Sequence, residues 1–224
     1  MKFEGYQVRV VRPKDWVTFR CQRCGACCRH VKQKVMLESL DAFRLAKFLK
    51  QRGDAVTGMD DVLGQYTESV PLENGYPIFV LQVSGPEDAC VFLKDGRCSV
   101  YEARPRACRL YPFTVGPGTK GRDFEYLLCT EAPYHFTDGR VLVNDWMYQN
   151  FKREDKEFVK REYDSAREIG RRLRQLGSSQ LRRALSPILF FRYYNYDLEK
   201  PFLPQYDRNL THLMKKLREL QNGQ

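Results

Sequence analysis

The stretch CQRCGACCRH, residues 21–30, places four cysteines within eight positions: Cys21, Cys24, Cys27 and Cys28. One or two buried thiols would serve a hydrophobic core as well as four, so packing does not account for the crowding. Thiolates gathered this closely repel one another unless a cation joins them. Four more cysteines follow, Cys90, Cys98, Cys108 and Cys129, each at or beside a predicted strand end or turn. A chain of 224 residues with eight cysteines so placed is expected to fold around sulfur.

The compartment decides what the sulfurs do. The start, MKFEGYQVRVVRPKDW, has no apolar stretch of the kind a secretory signal needs. The longest apolar run, at 187–191, is far too short to span a bilayer. A cytoplasmic chain with no membrane span is the expectation. In a reducing cytosol, clustered cysteines bind metal or do redox chemistry. The alternative, a disulfide framework, is compatible with the even count but belongs mainly to small secreted chains. The net charge of +10 points to an acidic partner. Nucleic acid, an anionic membrane surface and an acidic protein all answer that description; an unidentified protein, acidic or not, is the expected partner, and nucleic acid is possible but not favoured.

Cys-x-x-Cys is the common metal pincer, because a tight turn aims both sulfurs at one centre. Here it is extended to C-x-x-C-x-x-C, a spacing familiar in iron–sulfur proteins. Structural zinc sites more often use two separated pairs. Gly25 suits a close approach of backbone to metal. Cys27 and Cys28 are adjacent, and adjacent side chains tend to diverge. Cys28 is therefore expected to face a different metal atom, in a second site or on another edge of a polynuclear one. Four plus four allows two four-ligand centres, and the sequence leaves the partition open.

The hydrophobic pattern gives an α+β chain: an irregular, metal-centred part with short strands and a helix, then a long-helix C-terminal part. Residues 6–20 fit two short strands interrupted by Pro13. A helix is expected from an N-cap at Ser39 to a stop at Gly53, burying Leu40, Phe43, Leu45, Phe48 and Leu49. A short helix over 60–69 follows, then strands at 78–83, 90–93 and 124–129. Beyond Asp138-Gly139 a long helix runs from a cap at Asn144 or Asp145 to about Leu176. It presents Ala166, Ile169, Leu173 and Leu176 on one face. Helices over 181–191 and 210–220 complete the chain. The reading is a cysteine-cluster metal-binding domain over 1–140 and a basic helical extension over 141–224. Residues 145–224 hold 17 Lys and Arg against 11 Asp and Glu, a net of +6.

The run CQRCGACC followed by CVFLKDGRCSVYEARPRACRLYPF resembles the CxxCxxCC cysteine-cluster family, whose members are described as zinc- or iron-chelating. The matching pieces continue through Leu37-Glu38-Ser39-Leu40-Asp41, Tyr101-Glu102-x-Arg104-Pro105-x-x-Cys108-Arg109 and Tyr111-Pro112-Phe113. They cover roughly residues 19–135. Thr130-Glu131-Ala132-Pro133 after Cys129 departs from the family's usual Cys-Pro-Gly-like ending. The resemblance implies metal chelation and no settled reaction. A related cysteine motif occurs in flagellin lysine N-methylases, which keeps a methylase-like enzyme as one alternative.

Other residues carry two readings each. Arg104 and Arg109 either offset thiolate charge around Cys108 or belong to a surface salt-bridge set, and the latter suits Arg106 better. His30, two residues after Cys28, is a candidate ligand, but an all-thiolate set suffices. His135 and His212 read as packing or surface residues. Gly116-Pro117-Gly118-Thr119-Lys120-Gly121 spells G-x-G-x-x-G, but a strand follows it rather than the helix that receives a pyrophosphate, so a hairpin loop is expected. The spacing C-x-x-x-C-x-x-C of radical S-adenosylmethionine enzymes is absent, since position 31 is valine. Arg171, Arg172, Arg174, Arg182 and Arg183 form either a nucleic-acid patch or a solvated face offset by Glu154, Asp155, Glu157, Glu162, Asp164 and Glu168. The tyrosines of Arg192-Tyr193-Tyr194-Asn195-Tyr196 either stack on bases or pack helices.

The favoured function is an iron–sulfur protein of the [4Fe–4S] type, serving electron transfer or as an accessory to another enzyme. A structural zinc module whose basic tail docks on nucleic acid or an acidic protein is the first alternative, and the methylase-like enzyme the second. All eight cysteines are the expected metal ligands.

Overall fold

The computed structural model describes residues 2–3, 6–71, 76–119 and 121–222. The fold is α+β, with small sheets first and helices last. The chain enters through β1 (Lys2–Phe3) and β2 (Tyr6–Val11), then β3 (Trp16–Val17). The cysteine turn follows, with Ala26–Cys28 wound into one 3-10 turn.

Helix α1 (Ser39–Arg52) buries Leu40, Phe43, Leu45 and Leu49 of the expected stripe, while Phe48 is half-buried at its edge. Gly53 ends it at φ +90°, a left-handed cap whose N–H donates to the carbonyls of Leu49 and Lys50. Ser39 is the first helical residue rather than the cap. The N-cap is Glu38, whose carboxylate is engaged elsewhere. Helix α2 (Met59–Tyr66) is capped by the Asp61 carboxylate, which accepts from the N–H groups of Thr57 and Gly58. The expected continuation to residue 69 does not occur. From Thr67 the chain becomes β4 (Thr67–Pro71), whose ladder with β5 (Pro77–Leu81) pairs Thr67 with Leu81.

Two short hairpins follow: β6 (Val83–Ser84) with β7 (Ala89–Cys90), and β8 (Leu93–Lys94) with β9 (Arg97–Cys98). The second turns on Asp95 at φ +47° and Gly96 at φ +72°. Two positive φ angles in a two-residue loop match the turn that Asp-Gly favours. Helix α3 (Arg106–Leu110) leads through a cis Tyr111-Pro112 bond into β10 (Phe113–Pro117) and β11 (Phe124–Cys129). These strands join β1 and β2 in an antiparallel sheet of order β1-β2-β11-β10. Gly116 and Gly118 lie in and beside this hairpin, as expected, while Lys120 lies outside the described residues.

Strand β12 (Val141–Leu142) pairs with β3 and opens into α4 (Val143–Asn150). The single helix expected from about 144 to 176 is broken after α4, and α5 (Arg153–Leu173) begins anew. Phe151 is driven into the core, and the Asp155 carboxylate accepts from the Lys152 N–H to start α5. The buried face of α5 runs through Phe158, Ser165 and Ile169, while Ala166 is exposed. Helix α6 (Ser178–Leu189) contains Pro187, and a π turn over 190–194 follows it. A proline withholds one N–H from the helical ladder and disturbs the preceding turn. Helix α7 (Phe202–Gln221) closes the chain.

One hydrophobic core runs from Val11 and α1 through Phe151, Phe158, Tyr193 and Phe202. A second, of Ile169, Ala184, Ile188, Leu213 and Leu217, joins α5, α6 and α7. Tyr196 stacks on Phe202 at 4.9 Å and Tyr193 meets the Phe79 ring edge-on, so these two tyrosines pack helices. Among the described residues, no helix is long and apolar enough to cross a membrane.

Candidate metal centre

All eight cysteines line one cleft of about 940 Å³, and all eight are free thiols. Segments far apart in sequence deliver them. Cys21, Cys24, Cys27 and Cys28 come from the N-terminal turn, Cys90 from β7, Cys98 from β9, Cys108 from α3 and Cys129 from the end of β11. The disulfide framework is thus not what the fold builds.

Gly25 fixes the turn in place. Its φ is +72°, and a Cβ there would stand 2.6 Å from the Gly96 carbonyl oxygen and 2.7 Å from Leu93 Cδ1. Only glycine lets the cysteine turn lie this close on the hairpin that carries Cys98. The far side of the turn is tied to the β6–β7 loop. His30 and Val31 donate their N–H groups to the carbonyls of Glu87 and Asp88, at 2.7 and 3.1 Å. The Arg29 guanidinium bonds to the Glu87 carboxylate and to the Gly25 carbonyl. Tyr101 supplies a third clamp, since its ring carries Arg23 at 4.3 Å and Arg104 at 3.5 Å.

The thiols act on one another. Cys28 hydrogen-bonds to Cys27, lowering the Cys27 pKa to about 7 and raising that of Cys28. Loss of hydration raises Cys108 well above the ordinary thiol range, and charge on Cys90, Cys27 and Cys98 raises it further. Burial also raises Cys90 and Cys98. The Arg104 charge works the other way on Cys27 and Cys98. Cys27, Cys28, Cys90, Cys98 and Cys108 therefore form one electrostatically linked group, with Arg104 as its cation.

Behind α3 lies a set of buried ion pairs that the surface reading of Arg106 and Arg109 does not anticipate. Arg106 forms a two-pronged bond with Glu38 at 2.7 and 2.9 Å, and both side chains are 13% exposed. Its N–H donates to Asp41. Desolvation, then the neighbouring Glu38, pushes the Asp41 carboxyl up to about 7. Arg109 makes a two-pronged bond to Asp155, whose other partner is Arg44. Asp155 is fully buried, not part of a solvated face. Burial alone would raise its pKa, but the bonds from Arg109 and the charges of Arg44 and Arg109 hold it below the carboxylate range. These pairs position the helix that carries Cys108 against α1 and α5. Glu162 is likewise engaged inside the fold, with Arg192 and the Tyr206 hydroxyl. The sequence signal for such residues is weak, since Asp155 and Glu162 stand among many exposed charges.

The cleft wall beyond Cys129 carries Tyr111, Tyr134, His135 and Trp146. Trp146 donates to the Leu110 carbonyl at 2.9 Å. His30 also lines the cleft, while His212 stacks on Phe191 away from it. On the C-terminal helices, Arg171 and Arg172 both pair with Glu168, and Arg172 also reaches Gln221.

Eight free thiols on one wall-to-wall cleft, with a neighbouring guanidinium, suit a thiophilic metal. The class is a metal-binding protein with a cysteine-lined cleft. A family model, CxxCxxCC, described as "Putative zinc- or iron-chelating domain", matches residues 20–156, and the chain belongs to that family. The match runs on through Asp155, so it takes in the buried ion pair at the start of α5. A curated protein of Methanocaldococcus jannaschii, itself described as uncharacterized, is 32% identical over 101 residues. That alignment covers 44% of this chain and 47% of the relative, so the chain spans about half the length of the curated relative it matches. No solved structure matches.

Proposed function

We propose that the cleft holds iron–sulfur chemistry of the [4Fe–4S] type, four thiolates to a cluster drawn from the eight cysteines, and that the protein transfers electrons or serves as an accessory to another enzyme. The observation that carries the reading is the spread of eight free thiols around one roomy cleft. Four thiolates on a single zinc ion stand about 3.8 Å apart, given a Zn–S bond of about 2.3 Å. A polynuclear core takes its ligands on separate metal atoms, which suits donors spread in this way.

Cys21, Cys24, Cys27, Cys28, Cys90, Cys98, Cys108 and Cys129 are the proposed ligands, with the linked group around Cys108 as the inner set. The bound core would supply one-electron chemistry. Arg104 would offset thiolate charge, and the Glu38–Arg106 and Asp155–Arg109 pairs would hold α3 in register. Arg23, Arg29 and Arg97 on the cleft wall support an acidic partner at its mouth.

The test is optical and EPR spectroscopy on the chain purified without oxygen. Broad visible absorption that bleaches on reduction, with a paramagnetic signal appearing, is expected. Colourless protein holding zinc would replace this reading with the structural zinc module. A second reading, the methylase-like enzyme, rests on the cleft volume. At about 940 Å³ it lies at the upper end of small-molecule sites, leaving room for a cofactor beside the metal. Calorimetric binding of S-adenosylmethionine to the metal-loaded chain would favour that alternative.

A further inference from the structure

Eight cysteines are ample for a metal core, yet one imidazole on the same cleft is arranged as a ligand is. His135 follows Cys129 by six residues, on a 3-10 turn over Pro133–His135 that its N–H closes onto the Ala132 carbonyl. Its Nδ1 is hydrogen-bonded to the Tyr111 hydroxyl. The ring is held edge-on by Tyr111, with centroids 5.5 Å apart, and by Tyr134 at 4.5 Å. The remaining nitrogen, Nε2, is shut off from solvent and has no hydrogen-bond partner. Both His135 and Tyr111 line the cysteine cleft.

A buried polar atom without a partner is costly, so its retention calls for an explanation. Metal-binding histidines almost always give their second ring nitrogen to a fixed hydrogen-bond partner, which sets tautomer and ring orientation. In the tautomer with its proton on Nδ1, the ring donates to the Tyr111 oxygen and the lone pair of Nε2 is free for an ion. Imidazole suits both iron and zinc.

We infer that His135 is a metal ligand of the cysteine cleft through Nε2, oriented by Tyr111, so that the centre nearest Cys129 is a mixed thiolate–imidazole site. The assignment rests on the metal reading above and departs from an all-thiolate set. Tyr111 is a positioning residue.

The experiment is pulsed EPR on the full chain, in the reduced iron–sulfur form or, where metal analysis finds zinc, with cobalt(II) loaded in its place. A strongly coupled imidazole nitrogen is expected in the wild-type chain. It should vanish in His135→Ala and persist in His30→Ala. Tyr111→Phe should retain it while weakening metal affinity about 10- to 100-fold in chelator competition, as loss of an orienting partner does. A wild-type spectrum without imidazole coupling, or coupling that survives His135→Ala, would overturn the assignment. A chain that takes up neither metal would overturn the metal reading and this assignment with it. Should His135→Ala fail to fold, His135→Gln carries the same expectation.

Discussion

At the scale of single residues, the site depends on groups that the sequence marks unequally. Gly25 is legible: a glycine inside CQRCGACC predicts a close backbone approach, and the structure places the Gly96 carbonyl where its Cβ would be. Gly25→Ala should destabilise the chain by about 1–3 kcal/mol and lower its metal content, seen in thermal unfolding and metal analysis. An unchanged melting temperature would mean that the turn can lift off the hairpin. Asp155 is not legible, because one buried carboxylate among exposed ones looks like its neighbours. Asp155→Asn takes the shared anion from the buried Arg109 and from the partly buried Arg44, which keeps Glu154, and should cost about 3 kcal/mol at neutral pH. The sign of its pH dependence follows from its depressed pKa. Its stabilisation is complete above the ordinary carboxylate range and is lost as pH falls through the lower folded value. Denaturant unfolding at pH 7 and at pH 3 should show the wild-type chain losing its advantage over Asp155→Asn at the lower pH.

At the scale of elements, periodicity gave most of the buried face of α1, and the strand expected over 124–129 is β11. It failed where tertiary contacts override local pattern. The predicted helix over about 144–176 is continuous in charge and apolar spacing, yet Phe151 turns into the core and Asp155 caps a new start. The face assigned to Ala166 belongs to Ser165, whose hydroxyl meets that of Tyr206 across the packed helices. The two hairpins of the middle segment are too short for alternation to resolve, although Asp95-Gly96 signals the second. Leu213 is fully buried in the core that joins α5, α6 and α7 and lies away from the cysteine cleft. Leu213→Ala should therefore cost about 2–5 kcal/mol in chemical denaturation. The metal content of the folded fraction should stay unchanged. Loss of metal in protein that remains folded would show that the helices take part in the site.

At the scale of the whole molecule, the convergence of eight cysteines was legible as a pattern and not as a geometry. Spacing marks the N-terminal turn as a candidate pincer, but it cannot say that β7, β9, α3 and β11 bring their cysteines to the same cleft. That depends on register, such as Cys129 opposite Val8, and on buried ion pairs that only the fold assembles. Because the thiols crowd a common space, where burial and neighbouring thiols raise the pKa values of Cys28, Cys90, Cys98 and Cys108, metal should couple to stability. Removal by a chelator is expected to lower the melting temperature, with readdition restoring it, and an unchanged melting curve in demetallated protein would count against that coupling.

The central claim is that the cleft exists to hold metal on sulfur. Its most direct test is iron, zinc and acid-labile sulfide per chain, measured on full-length protein purified without oxygen. Iron with matching sulfide is the predicted result. Folded protein with neither metal above trace would contradict the account.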